Sequence, residues 1–175
     1  MPSRRRVLAG IGTVAGGTFA GCPSDAATTG TVTRKDVTVA VPRQTGEPVD
    51  ASVALFGYEP DRRLVHGEYD PDYAGDAVDE ATLSAPEAVH ETLSNEFSAV
   101  SYAVNLVPDE GAPVNGVVSR EDFDALTVGA TATVEPYRGT DGLGRARVRD
   151  AEPRERDPMT VTISEFDLGE RVGDD

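Results

Sequence analysis

The residue types that most often carry out chemistry in proteins are scarce in this chain of 175 residues. It has one cysteine, Cys22, and two histidines, His66 and His90. These residues lack the paired spacings of a zinc site, and no Gly-x-Ser-x-Gly motif presents a serine nucleophile. The residue types therefore favour a protein that is not an enzyme and that uses no metal or cofactor. A hydrolase without a recognisable motif is a remaining alternative.

The acidic stretch 68–80 is the first candidate binding site. Asp70, Asp72 and Asp76 follow the spacing of the first half of an EF-hand calcium loop, with glycine at its sixth position. The glutamate that such a loop needs at its twelfth position is replaced by Ala81. A cation site on the three aspartates and a solvated acidic loop both stay open.

A group of arginines is the second candidate. Arg145, Arg147 and Arg149 alternate with apolar residues, so a strand places their three side chains on one face. They lie in the segment 138–156, which has six arginines and four acidic residues. Guanidinium groups match carboxylates, and this face is therefore a candidate surface for an acidic envelope protein. Pairing with acidic residues of the same chain is the alternative.

The first 21 residues have the layout of an export signal, with a basic start, a short uncharged apolar part and small residues at the end. The apolar part, 7–21, is shorter than the roughly 20 residues of a membrane-spanning helix. The run SRRRVL, which contains Arg4 and Arg5, resembles the twin-arginine export signal, although valine stands where phenylalanine is usual. The resemblance implies export of the folded protein by the twin-arginine machinery.

The sequence FAGC, which ends at Cys22, resembles the lipobox of exported lipoproteins, with Phe19 in place of the usual leucine. The resemblance implies that Cys22 is lipidated and anchors the protein to the extracytoplasmic face of the cell membrane. A cysteine committed to lipid leaves none for a blue-copper site, which needs one. The polar residues that follow complete a predicted flexible tether, 22–30.

The charge of the chain is the third informative property. It has 31 acidic and 16 basic residues, a net charge of -15, and Lys35 is its only lysine. Removal of residues 1–21 leaves 13 basic residues and a net charge of -18. Many acidic residues with almost no lysine resemble the proteins of salt-adapted archaea. Such a negative field repels nucleic acid, and no nucleic-acid partner is expected.

Hydrophobic periodicity predicts a chain made mainly of strands. Alternation of apolar residues predicts strands at 37–41, 100–106, 114–119, 128–134, 145–149 and 159–163, and a run that is apolar on both faces predicts another at 51–58. A short edge strand is predicted at 64–66. One helix is predicted at about 85–97, with Ser84 and Glu87 as a capping box and Val89, Leu93 and Phe97 as an apolar stripe.

The predicted fold is an antiparallel β-sandwich or barrel of about 6–8 strands with one amphipathic helix. The stretch 37–58, with its Thr-Gly-Glu-Pro-Val turn, resembles the opening hairpin of immunoglobulin-like or transthyretin-like surface sandwiches. The predicted domains are a signal peptide at 1–21, the tether at 22–30, a β-rich domain at 31–168 and a frayed tail at 169–175.

The function expected from these features is that of an extracytoplasmic lipoprotein, which acts as a non-catalytic binding or envelope-support module. The expected partners are the membrane through Cys22, the export machinery and an acidic envelope protein. A small-ligand or cation-binding lipoprotein that uses the loop 68–80 is the alternative.

The charge predicts that folding depends on salt. Repulsion among acidic side chains destabilises a compact state in dilute buffer, and at molar salt the Debye length falls to about 3 Å, which screens that repulsion. Circular dichroism between dilute and molar KCl is expected to show a cooperative fold that gains stability with salt. Equal stability at both ends of the range contradicts this prediction.

Overall fold

The computed structural model describes residues 26–43, 46–139, 144–154 and 158–173. The protein is mainly β, as predicted. The strands are β1 Thr28–Val41, β2 Val49–Glu59, β3 Leu64–Tyr69, β4 Val78–Asp79, β5 Thr82–Leu83, β6 Val100–Val107, β7 Val114–Val118, β8 Thr131–Arg138, β9 Gly144–Ala151 and β10 Thr160–Glu165. The helices are α1 Pro71–Ala74, α2 Glu87–Glu96, α3 Arg120–Ala125 and α4 Leu168–Val172.

Five of the strands form a closed mixed barrel. Around the barrel the order is β1, β6, β7, β9, β8 and back to β1, with β7 and β9 parallel and the other pairs antiparallel. Numbered along the chain, these strands have the order 1-2-3-5-4, and α3 lies between the third and the fourth. A barrel of this kind by itself says nothing about activity.

Strand β1 belongs to the barrel and to an outer sheet at the same time. Its residues 28–31 pair with β8, whereas its residues 34–41 pair along the same edge with β2. The outer sheet continues from β2 to β3 and then to β10. Gly30 permits the close approach at the barrel seam, because a Cβ there would lie 2.5 Å from the carbonyl oxygen of Val107.

The structure corrects several details of the predicted elements. Strand β3 lies between β2 and β10 and is not an edge, and its pairing with β10 is parallel. The predicted antiparallel arrangement therefore fails at two pairs of strands, β3 with β10 and β7 with β9. Both parallel pairs join segments far apart in sequence, and local alternation carries no signal for such pairing.

The ends of the predicted segments also differ. Strand β1 starts at Thr28, inside the predicted tether, because its first residues complete the barrel. Helix α4 occupies much of the predicted frayed tail, with Asp167 as its N-cap. The predicted acidic loop contains the end of β3, the helix α1 and the strand β4. The predicted signal peptide and Cys22 lie outside the described residues.

The predicted apolar stripe of α2 is confirmed, but its capping box is wrong. Val89, Leu93 and Phe97 are buried. Pro86 is the N-cap residue and makes no side-chain cap bond, while the Ser84 hydroxyl donates to the carbonyl of Ala77 at 3.2 Å. A second helix, α3, has the cap that α2 lacks: the Ser119 hydroxyl accepts from the Asp122 N–H.

The core contains one lysine among its apolar side chains. Lys35 is 1% exposed and lies on the inward face of β1 with Val37 and Val39. Its Nζ donates to the carbonyls of Leu83 at 2.5 Å and Leu126 at 2.7 Å. The amine thereby joins β1 to β5 and to the end of α3.

The environment of this amine has two opposing electrostatic effects. Nζ lies 4.1 Å from the centre of the Phe123 ring, in a position to interact with its π face. Burial lowers the pKa of Lys35 from 10.5 to about 7, and the negative charge of Asp124 opposes this shift. Removal from water therefore outweighs the local attraction.

The lowered pKa predicts that stability rises with pH. Between about pH 7 and pH 10 the unfolded chain keeps the Lys35 proton and the folded chain releases it. The free energy of unfolding then increases by up to about 1.4 kcal/mol per pH unit, and the contribution of this group is flat below that window. Chemical denaturation across this range at constant molar salt measures the slope.

The control for this experiment is Lys35→Met, which has a similar length and no charge. We expect the methionine variant to lose the slope, whatever its absolute stability at neutral pH. Equal slopes for both proteins would show that Lys35 titrates normally in the folded state.

Candidate functional site

An open cleft lies where the barrel and the outer sheet separate. Beyond residue 31 the edge of β1 passes from β8 to β2, so these two strands diverge. The start of β8 is held to β1 by two main-chain bonds, Val32 N–H to the Ala130 carbonyl at 2.9 Å and Gly129 N–H to the Val32 carbonyl at 2.8 Å. We call the space between β8 and the outer sheet the junction cleft.

The junction cleft has a volume of about 330 Å³, at the lower end of the range of small-ligand sites. Its walls come from β2, the start of β8, and the segments on either side of 155–157. The lining residues are Tyr58, Arg63, Gly129, Ala130, Thr131, Glu152, Pro153, Arg154, Pro158 and Met159.

Arg154 is the best-positioned cation in the cleft. Its Nη1 donates to the carbonyl of Val128 at 3.3 Å and that of Ala81 at 3.5 Å. Among the described residues these are the hydrogen bonds of its side chain, and they use one corner of the guanidinium. A guanidinium has five N–H groups in a planar fork, of which these two bonds use one nitrogen.

Gly129 shapes the floor of the cleft beneath this arginine. Its φ of +81° is a backbone conformation that suits glycine. A Cβ there would lie 3.2 Å from Cδ of Arg154 and 3.3 Å from the ring of Tyr58. The missing side chain lets the arginine stem and the tyrosine ring pack against the backbone, which fixes both on the cleft wall.

The predicted arginine face is present on β9, and two of its members interact with neighbouring residues of β8. Arg149 forms an ion pair with Glu135, and the guanidinium carbon of Arg147 lies 5.5 Å from the ring centre of Tyr137. Arg145 is partly buried beside β7, where it pairs in register with Val117. These contacts favour internal pairing, the alternative weighed for these residues.

The three predicted cation ligands do not share one role. Asp70 is buried, and its carboxylate caps α1 by accepting from Asp72 N–H at 2.9 Å. Its other oxygen accepts from Leu168 N–H at 2.6 Å, which ties α4 to this turn. Asp72 and Asp76 are exposed at a separate small depression. Within the described ranges no group of three His, Cys, Asp or Glu could hold a metal ion, and no binding measurement yet tests the cation site.

The two histidines lie in different places. His90 lies on α2, and its Nδ1 is 2.8 Å from the hydroxyl of Tyr102, a core residue of β6. Burial raises the pKa of Tyr102 to about 12, so this hydroxyl stays protonated and can donate to the imidazole. His66 covers Gly57, and its Nδ1 is 3.8 Å from a carboxylate oxygen of Glu59.

The sequence contained one partial signal for the junction cleft. Arg154 belongs to the positively charged segment 138–156. Tyr58 and Met159, which line the same cleft, come from distant parts of the chain. Residue types and local spacing could not predict that these residues are neighbours, because the cleft depends on how β2 and β8 diverge in the folded sheet.

The comparisons with known proteins give no relative: no family model matches the sequence, and no curated protein or solved structure matches it. Within the described residues no helix has the length and apolar character needed to cross a membrane.

Proposed function

We propose that this chain is an exported, lipid-anchored surface protein of a salt-adapted archaeon and that it acts as a non-catalytic binding module. In this proposal Arg4 and Arg5 direct export, and lipid on Cys22 holds the domain at the extracytoplasmic face of the membrane. The support is the sequence SRRRVL near the start of the chain, followed by FAGC, together with the acidic composition. The ligand site is the junction cleft, and its ligand is a carboxylate group of an acidic partner.

The position of Arg154 is the observation that carries the ligand assignment. A guanidinium in a concave site is a local positive charge in a chain whose net charge is -15. Its Nη1 is held by two carbonyls, so little side-chain entropy is left to lose when a ligand binds. An oriented arginine matches the two oxygens of a carboxylate.

High salt favours this short-range recognition over long-range steering. At molar ionic strength attraction between separated charges is screened within about 3 Å. A carboxylate that contacts the guanidinium directly, in a cleft partly closed to water, keeps more of its interaction energy. The Tyr58 ring and the Met159 side chain add apolar contact beside the charged group.

Binding of a short fluorescent poly-glutamate peptide at molar KCl tests the cleft. We expect Arg154→Lys, which keeps the charge and loses the forked geometry, to weaken binding about tenfold, equal to about 1.4 kcal/mol. Arg62→Lys is the matched control, because it makes the same substitution at an exposed arginine that pairs with Glu59 outside the cleft, and its affinity is expected to stay unchanged. Fluorescence anisotropy measures the affinities, and thermal melting checks the fold of each variant.

Two results contradict the ligand assignment. One is the absence of peptide binding to the unaltered cleft, and the other is an equal loss of affinity in the Arg154 and Arg62 variants. An equal loss would indicate a diffuse attraction to the surface instead of a site.

Anchoring is tested separately in cells. We expect the wild-type chain to partition into detergent and Cys22→Ser to remain in the aqueous phase, since the serine hydroxyl does not replace the thiolate as nucleophile. Replacement of Arg4 and Arg5 by lysines is expected to leave the protein inside the cell. Identical partitioning of wild type and Cys22→Ser rejects lipidation, and unchanged export of the lysine variant rejects the twin-arginine route.

A further inference from the structure

The outermost strand of the sheet, β10, has a free edge that carries no charge over most of its length. Among the described residues β10 pairs only with β3. The run 159–164, MTVTIS, has no charged residue, although 27% of the chain is charged. Exposed edge strands are commonly protected by charged residues, proline or bulges, and this stretch has none of these.

The main-chain groups of alternate residues in β10 point away from the sheet. Thr160 N–H donates to the Arg63 carbonyl at 3.0 Å, and Phe166 N–H donates to the Tyr69 carbonyl at 3.0 Å. The main-chain N–H and C=O groups of the even-numbered residues in this strand therefore point toward β3. The N–H and C=O groups of Val161 and Ile163 consequently face outward, where they can form a new ladder.

The side chains of the same two residues extend the apolar core to this edge. Val161 lies beside the buried Val65 in register, and Ile163 lies beside Gly67, whose missing side chain makes room for Phe56. Nevertheless Val161 is 42% exposed. The apolar face of the sheet thus reaches its outer edge at β10, and no other described segment covers it completely there.

We propose that β10 pairs with β10 of a second copy of this chain, antiparallel, about a two-fold axis through Thr162. On the core face, this register places Val161 of each copy opposite Ile163 of the other copy. It sets the two Thr162 residues together on the other face, with Thr160 opposite Ser164. Apolar side chains meet apolar side chains and hydroxyls meet hydroxyls, which is the matching that stabilises neighbouring strands.

The hydrogen-bond pattern is compatible with this register, and the length and chemistry of the paired stretch distinguish it from its neighbours. Val161 and Ile163 both direct their main-chain groups outward, so they form hydrogen-bonded pairs, and Thr162 falls on a non-hydrogen-bonded pair. An axis through Val161 shortens the paired stretch to 160–162. An axis through Ile163 places the Glu165 carboxylate opposite an apolar side chain. The axis through Thr162 gives the longest stretch of matched pairs.

The charge of the molecule favours a partner strand at this place. The net negative charge makes two copies repel each other over most of their surfaces, and the run 159–164 is free of that repulsion. Molar salt reduces the remaining repulsion. If the anchor of the proposed function is correct, copies on one membrane also meet at a raised effective concentration.

A cysteine cross-link tests the register directly. In a chain with Cys22→Ser, Thr162→Cys places two thiols on residues whose Cα atoms are about 4.5 Å apart across the axis, within the range for a disulfide. Thr160→Cys is the control, because it lies on the same face of the same strand and its copies are about 14 Å apart. With a mild oxidant at molar KCl we expect Thr162→Cys to form dimers at least about tenfold faster.

Sedimentation at molar KCl supplies the second measurement. The Cys22→Ser chain is expected to sediment as a concentration-dependent dimer. Val161→Lys is expected to sediment as a monomer that keeps the circular dichroism of the folded chain, since Val161 is 42% exposed in a single copy and a long lysine stem can lie over the core face with its charge in solvent. A monomer at every concentration, or equal cross-linking of Thr160→Cys and Thr162→Cys, overturns the proposal. Neither measurement needs the lipid anchor or the cleft ligand.

Discussion

The burial of one amine inside the apolar core is the constraint on which the rest of the structure depends. Lys35 donates hydrogen bonds to the carbonyl of Leu126, at the end of α3, and to the carbonyl of Leu83, in β5. Its hydrogen bonds satisfy the carbonyls of two buried residues, and a buried carbonyl left without a donor costs about 1–3 kcal/mol. The barrel, the strand β5 and the short helix α3 are thus positioned against one another by a group that is itself unfavourable to bury.

The second organising feature is the length of β1, which lets one strand serve two sheets. Its pairing is irregular at Val32–Arg34 on the side of β6 and at Val37–Thr38 on the side of β2. Such irregularities bend a strand and increase its twist. The bend lets β8 leave β1 where β2 joins it, and the junction cleft is the space between them. The candidate site is therefore a consequence of strand geometry, to which Gly129 and Arg154 add shape and charge.

The sequence predicted those parts of the fold that are determined locally. Alternation located β6 and the last residues of β1, and an apolar run located β2, which is buried on both faces. The same alternation, extended back from Val37, places Lys35 inside, so its burial could have been inferred from the period of two. Helix α3 was missed because it is short and buries only Phe123, although Ser119 and Asp122 have the spacing of a cap. The parallel partners of β10 and β9 depend on tertiary packing that no local pattern records.

The closing seam of the barrel has a kinetic consequence. Thr29 of β1 meets Thr133 of β8, 104 residues later, and their hydroxyls lie 2.7 Å apart. Joining such distant segments requires a large loss of chain entropy before any contact compensates it, and folds rich in distant contacts form slowly. During synthesis the first three strands can pair early, whereas the barrel stays open until β8 and β9 have left the ribosome. The ring is therefore completed only after β9 has been made, and until then β1 lacks its neighbour on the side of β8.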